Sequence, residues 1–499
     1  MEPLARGNLV RALLGVAVLL AFAWAAPRAR HRWIQHVIHD DAAPRDPLRL
    51  MAMSRAPLTP AARVRVVLID GLSASVAAKQ VHLQAACARG LDLTVDVGFP
   101  TVSLPVETAL WSGLTQQQSG YMFRSDTPLA PALVGIPSRV PGSIAIAEDH
   151  GWIVRSLGFA HTEPAADPAD PAKDEAPDAW RGQWLPRARA AVASDSPLVF
   201  VHILRVDTAG HQGGRDSAQY WVAAGLADAL LDGLMTQAPD ARWFLLSDHG
   251  HLSTGGHGGA EVELRQVEGC IVGPGLVAKR GGPVHVVDVA RAIADSLGVT
   301  LAPAAHGRPL DAAMMFPLRG EQAVPAVPLG HGALAWLMIA LGVGSAYVAR
   351  RAWLAPWWFV VACVALLVIR GEPTLSAPEI WAPSGRAMYV TWLPALALLA
   401  AVTWIGLGRT SLRRVVVGQL GLPFAAVAAA ISASGAWPLL LGRAVAPVVP
   451  HFTAWLSPLI LMAAHGAAVV ALVVLARCAR SAFGRPSPPE TPSIAAAGE

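Results

Sequence analysis

Charge is scarce in this chain of 499 residues: 15% of them are charged, against about a quarter in an ordinary soluble protein. The acids that exist are unevenly spread. Thirty of the 35 lie between Asp40 and Glu321, Glu2 precedes them, and Glu372, Glu379, Glu490 and Glu499 follow. That split excludes both a uniform soluble enzyme and a uniform membrane bundle, and points to a polar domain fused to a long apolar C-terminal region. With 54% hydrophobic residues, disorder is excluded for most of the chain. The net charge of +4 is too small to argue for a nucleic-acid partner. Cysteine is also sparse, with four in all and no C-x-x-C, which argues against a thiolate metal site. Cys87 and Cys270 are the two in the polar region, and a disulfide between them is open to the chain but not established by sequence.

What the chain has in abundance is long apolar runs. The first, Ala12 to Ala26, extends to Leu9 and Val10 and is long enough for a signal anchor. The rival reading is a cleaved signal peptide, because Ala23-Trp24-Ala25 fits its small-x-small cleavage pattern. Both readings send the following domain across a membrane. Five more candidates follow Pro328, at 329–349, 353–369, 388–408, 415–441 and 453–476. Arg350 and Arg351, then Arg409, Arg413 and Arg414, then Arg477, Arg480 and Arg485 mark alternate ends as cytoplasmic. Arg28, Arg30 and Arg32 point the other way but are outweighed by these three clusters. The expected organisation is an anchor or signal peptide over 1–27, a linker over 28–62 and an extracytoplasmic domain over 63–315. A second linker follows over 316–328, then about five membrane helices over 329–477 and a cytoplasmic tail over 478–499.

Within the polar domain, Val64–Ile69, Trp152–Leu157, Leu198–Leu204 and Trp243–Ser247 read as buried strands, short and rich in β-branched and aromatic residues. Ser217–Thr236 carries apolar residues on a helical period, and Ala109–Leu114 begins like a helix. Alternation of this kind predicts an α/β fold, a mostly parallel sheet with helices on both faces. Glu163–Asp178, almost wholly Pro, Ala and acid, reads as a solvated loop.

Three of the strands run into acids. Asp70 follows the first; Asp207, with His211 four residues on, follows Leu198–Leu204; Asp248-His249 follows Trp243–Ser247, with His257 in a GGHGG loop beyond. Ligands of open α/β sheets bind at the carboxyl ends of strands, so these side chains should converge. Carboxylates brought together repel unless a cation sits among them. Mixed Asp and His donors without thiolates suit a catalytic site for zinc or a similar divalent ion. Six ligands suffice for two ions, an arrangement that can clamp the attacking and leaving oxygens of a phosphoryl displacement. Ser103, between Pro100 and Pro105, reads either as a helix N-cap or as a nucleophile at a helix start beside a metal.

In order and spacing, VVLIDG, FPTVSLPVETALWSGL, VDTAGH and SDHGH…GGHGG resemble the alkaline phosphatase superfamily, over about Arg63 to Leu310 and ending in the HGRPL of His306–Leu310. The nearest likeness is to its type I phosphodiesterase/nucleotide pyrophosphatase branch, and the apolar C-terminal region is reminiscent of the ethanolamine phosphate transferases of glycosylphosphatidylinositol synthesis. The resemblance implies two divalent ions, expected to be Zn2+. Asp70, Asp248, His249 and the oxygen of Ser103 would hold one; Asp207, His211 and His257 would hold the other. It also implies Ser103, rather than Thr101, as nucleophile. Arg124 stands where the diesterases carry a phosphate-binding Asn, in an ungapped register. Sulfatases of the superfamily need Cys or Ser followed by x-Pro-x-Arg, and Glu107 replaces that Arg, which disfavours sulfate esters.

The expected function is therefore a membrane-bound two-metal phosphodiesterase or phosphotransferase working through a phosphoserine. Its partners would be a phosphate ester, a membrane lipid among the candidates, and the bilayer. A phosphomonoesterase of the same superfamily is the enzymatic alternative. The rival outside enzymology is a lipid-binding or transport protein with a regulatory outer domain, against which stands the near absence of intramembrane charge, His465 being the main polar residue.

Overall fold

The strand β1 (Val64–Ile69) is buried along its whole length and forms the middle of the functional half of the sheet. In this computed structural model, residues 58–119, 135–166, 175–259 and 261–315 are described, with 382–383 and 474–475. No helix among them is long and apolar enough to cross a membrane. The six apolar runs expected to do so, the 28–57 part of the first linker, the second linker, the tail, Arg124 and His465 lie outside the described residues, except for Val474 and Leu475 of the last run.

The remaining strands are β2 (Leu91–Asp96), β3 (Ile144–Ala147), β4 (His161–Glu163), β5 (Leu198–Ile203), β6 (Arg242–Leu246), β7 (Gln266–Val272) and β8 (Lys279–His285). They form one sheet in the order β4-β3-β5-β1-β6-β7-β2-β8. Only β7 runs against the others. β1 pairs in parallel with β5 on one side and β6 on the other, Ile69 opposite Ile203 and Leu68 opposite Leu246. Their carboxyl ends therefore finish level, the edge at which ligands of open α/β sheets bind.

Alternation along the strands fills two layers. Val64, Val66, Leu68, Leu198, Phe200 and Phe244 face one apolar cluster, while Val67, Ile69, Val199, Val201, Trp243 and Leu245 face the other. The helices of five or more residues are α1 (Val81–Cys87), α2 (Ser103–Ser112), α3 (Trp152–Ser156), α4 (Trp184–Ala193), α5 (Arg205–Gly213), α6 (Ala218–Met235), α7 (Val286–Leu297) and α8 (Leu310–Met315). Of these, α2, α3 and α7 cover the first layer, and α1, α4 and α6 the second. Trp111 of α2 packs edge-on against Phe159 and Phe200, each such buried aromatic contributing about 1.5–3 kcal/mol. The α/β sheet with helices on both faces is thus as expected.

Three local expectations need correction. Trp152–Leu157 forms a short helix, α3, rather than a strand; a buried apolar run has the same signature in either state, and the strand position beside β5 is filled by Ile144–Ala147 instead. The helix expected from Ala109 begins at Ser103, because Pro105 falls in its first turn, where a missing N–H costs nothing. Ser217 caps α6, its side chain accepting from the Tyr220 amide. Glu163 ends β4 and pairs in the sheet through Ile146, so the expected loop starts after it; 167–174 lie outside the described residues.

Cys87 and Cys270 form a disulfide that ties α1 to β7 across a sequence separation of 183. The HGRPL stretch is structural: Arg308 reaches the buried Asp288 of α7 through both its side chain and its backbone amide.

Candidate metal centre

Asp70 follows β1 directly, and its amide continues the β pairing by donating to Ile203 O. Gly71 comes next with φ of +73°, and a Cβ there would lie 2.9 Å from the Asp207 backbone and 2.9 Å from the His251 ring. Glycine is needed for both the left-handed turn and the close approach. The Gly71 amide donates to Asp248 Oδ1 at 3.1 Å, joining the ends of β1 and β6.

Around Asp70 the side chains meet as follows. His249 Nε2 is 3.3 Å from Asp70 Oδ1 and 3.4 Å from Asp248 Oδ2. Ser103 Oγ is 3.3 Å from His249 Nε2 and 3.5 Å from Asp70 Oδ1. Asp70, Asp248 and His249 are fully buried, while Ser103 is half-buried. Ser103 is not the N-cap, which is Val102; it is the first residue of α2, with its hydroxyl turned to the cluster.

The second group centres on Asp207 in the first turn of α5. His211, one helical turn on, brings Nε2 within 3.5 Å of Asp207 Oδ1, and His257 Nε2 lies at the same 3.5 Å. The two imidazole nitrogens are 3.2 Å apart. His257 donates from Nδ1 to Thr101 O at 2.8 Å, and His249 likewise uses Nδ1 toward Gly250 O at 3.1 Å. A carbonyl can only accept, so both rings carry their proton on Nδ1 and turn a lone pair on Nε2 toward the carboxylates. Thr101 is committed to the His257 loop, donating to Gly259 O at 2.8 Å and accepting from the Gly258 amide at 3.0 Å. The His249 and His257 rings stack with centroids 3.7 Å apart, so the two groups are neighbours.

Ligands at 2.0–2.1 Å from a tetrahedral zinc ion stand about 3.3 Å from one another. The separations of 3.2–3.5 Å in both groups fit that spacing. Among the described residues Asp248 Oδ2, 3.4 Å from His249 Nε2, is buried without a hydrogen-bond partner, an arrangement that is costly unless a cation compensates it. The donor set and its geometry therefore fit divalent ions in both places.

Without a cation the electrostatics are tense. Burial, then Asp248 and Asp207, push the Asp70 carboxyl well above its usual range. Burial works against the charge of Asp207 too, but His211, His251 and His257 hold it well below. Burial, reinforced by His249, keeps His257 neutral, the form that binds a metal.

Three residues at this site were given no ligand or positioning role by sequence. His251 is buried with Nε2 2.8 Å from Asp207 Oδ1, and burial holds its pKa down at about 4. Gly210 makes room for it, since a Cβ there would lie 2.4 Å from the ring. Its signal was the second histidine of SDHGH. His202 and Glu107, both fully buried, stand behind Asp70; the signal for them was a polar residue in the apolar LVFVHIL run and an acid inside ETALW.

No family model and no curated protein matches the chain. Similar solved structures include a 2-O GAG sulfatase at 16% identity, covering 53% of this chain and 76% of that one, with a TM-score of 0.41. Human ectonucleotide pyrophosphatase/phosphodiesterase 5 follows at 14% identity, 51% and 99% coverage and a TM-score of 0.40. A protein in the alkaline phosphatase superfamily from Vibrio parahaemolyticus is similar at 12% identity, 55% and 77% coverage and a TM-score of 0.36.

Proposed function

We propose that this protein is a two-metal phosphodiesterase or phosphotransferase of the alkaline phosphatase superfamily, with Ser103 as nucleophile. The observation that carries the reading is the position of Ser103 Oγ, at the start of α2 and 3.3–3.5 Å from two donors of one group, with the Asp207 group alongside. Asp70, Asp248 and His249 would hold one ion with Ser103, and Asp207, His211 and His257 the other. When bound, such ions lower the pKa of a hydroxyl and neutralise charge on phosphate oxygens.

The residues themselves do the rest. Ser103 gives up its proton and attacks phosphorus; a P–O bond to the leaving alcohol breaks, and that alcohol departs with a proton. Ser103 is left as a phosphoester, released by water in a hydrolase or by an acceptor hydroxyl in a transferase. The first turn of α2 supplies backbone N–H groups suited to the phosphate oxygens. His211 is the most exposed of the Asp and His donors. Glu107, where sulfatases need Arg, supports phosphate over sulfate.

The disulfide Cys87–Cys270 supports an oxidising, extracytoplasmic setting for the domain, and the apolar runs with their arginine clusters support attachment to a membrane. A membrane phospholipid is then a natural donor, phosphoethanolamine-like groups included. The test uses the detergent-solubilised full chain: metal content, then turnover of a panel of phosphomonoesters, soluble phosphodiesters and phosphatidylethanolamine, with mass spectrometry for phosphate on Ser103. Two ions, diester turnover and a phosphoserine at 103 are expected. Preference for monoesters would favour the phosphatase alternative, and absence of both ions and turnover would favour a binding protein.

A further inference from the structure

Asp70 divides its two oxygens. Oδ1 faces His249 and Ser103, while Oδ2 lies 3.1 Å from His202 Nε2. His202 Nε2 is in turn 3.2 Å from Glu107 Oε1. All three residues are fully buried. His202 stands on β5 with its side chain on the same face as Phe200, whose ring is 6.0 Å away, and Glu107 stands on α2 four residues after Ser103.

That chain of contacts links the end of β1, the middle of the sheet and the helix that bears the hydroxyl. It occupies an apolar layer, where a Leu and a Phe would pack without desolvating any charge. Replacing a buried polar pair by apolar residues is often neutral or stabilising, so stability alone does not explain His202 and Glu107. Carboxylates that bind metals are commonly held by a partner on the second oxygen, and loss of that partner weakens ion binding.

We propose that His202 and Glu107 are positioning residues that fix Asp70 Oδ1 relative to Ser103 and so set the affinity of the first ion. The inference rests on the two-ion reading above but concerns residues that touch neither ion in it. An imidazole between two carboxylates also has the makings of a third cation site, and the contacts are close without being aligned as hydrogen bonds. Three donors in a sealed layer leave a tetrahedral ion one ligand short, which favours the positioning role.

The experiment measures Zn2+ affinity of the full chain by chelator competition, Zn2+ count at saturation by mass spectrometry, and thermal unfolding. It compares wild type, Glu107→Gln, His202→Asn and the apolar pair Glu107→Leu/His202→Phe. Each single variant should weaken one of two ions by about 10- to 100-fold while two still bind at saturation. The apolar pair, which leaves no unpaired carboxylate at 107, should unfold nearer the wild-type temperature than His202→Asn yet keep the weakened affinity, a combination that a purely structural role cannot give. This pair also supplies the answer if a single variant fails to fold. Wild-type affinity in the apolar pair overturns the proposal. So does a wild type with three ions that falls to two in Glu107→Gln, which would make the trio a cation site. A wild type that binds no Zn2+ sinks the two-ion reading itself, and the positioning role with it.

Discussion

Ser103 Oγ lies 3.3 Å from His249 Nε2 although 146 residues separate them in the chain. The contact exists because α2 starts at the same edge of the sheet where β6 ends. Ser103→Ala should therefore remove turnover, by about a thousandfold or more, while leaving two ions bound and the unfolding temperature near wild type. Metal analysis beside a turnover assay on the best phosphodiester checks this. A fully active variant would eliminate Ser103 as nucleophile.

Thr101 holds the His257 loop with its hydroxyl, both donating and accepting, and holds His257 with its carbonyl. Thr101→Val keeps the shape but strands the Gly258 amide and the Gly259 carbonyl, at a cost of about 1–3 kcal/mol. Its effect should fall on the ion at His211 and His257 more than on the one at Asp70. Thr101→Ser should restore both stability and affinity. Isothermal titration of the two ions separates them; equal weakening of both would mean the loop does not act locally.

The sheet's functional half was legible because β1, β5 and β6 are apolar strands that each run into an acid at one level of the sheet. Its other half was not. β7, inside the sheet, and β8, at its edge, carry Glu268, Lys279 and Arg280 at partly or fully exposed positions and break the apolar pattern that sequence reading relies on. α3 was misread because burial on every side erases periodicity. At the site, the residues at strand ends announce themselves by motif, whereas His202 and Glu107 act through contacts between β5 and α2 that no spacing along the chain encodes. His251 was visible in SDHGH, but only the packing of its ring on Gly210 gives it a role.

Ion binding should tighten as pH rises. Burial and the nearby Asp248 and Asp207 hold the Asp70 carboxyl above its usual range, so a proton competes with the cation at that position until the pH passes the raised pKa. Binding should release protons into weakly buffered solution, and Zn2+ affinity should climb steeply from acid toward neutral pH. Chelator competition at successive pH values measures the slope. A flat profile would show that Asp70 is ionised throughout and does not compete.

Reducing Cys87–Cys270 should destabilise the domain by about 2–5 kcal/mol. The bond joins α1 to β7 on the side of the sheet away from α2 and α7. Its loss should lower the unfolding temperature of the full chain without altering ion affinity measured in the folded state. Cys87→Ala/Cys270→Ala with wild-type unfolding would show that the bridge contributes nothing.

The metal-free protein should also lose stability in acid through His251. Its pKa falls from 6.5 unfolded to about 4 folded because the ring is fully buried. Between those values the unfolded chain holds a proton that the folded chain excludes, so stability is complete above pH 6.5 and drains away as the pH falls toward 4. The shift corresponds to about 3 kcal/mol across that window. Asp207, held low by its histidines, adds a loss of the same sign lower down. His202 works in the opposite sense: its carboxylate partners raise its pKa against burial, so its contribution is present in acid and is lost as pH rises through the raised value. His251→Asn should therefore start less stable at pH 7, having lost the contact to Asp207, yet show a shallower decline down to pH 4.5. Urea unfolding of both chelated proteins at half-unit intervals gives the two slopes. Parallel declines would mean that the acid sensitivity originates elsewhere in the cluster and that His251 is charged in the folded state.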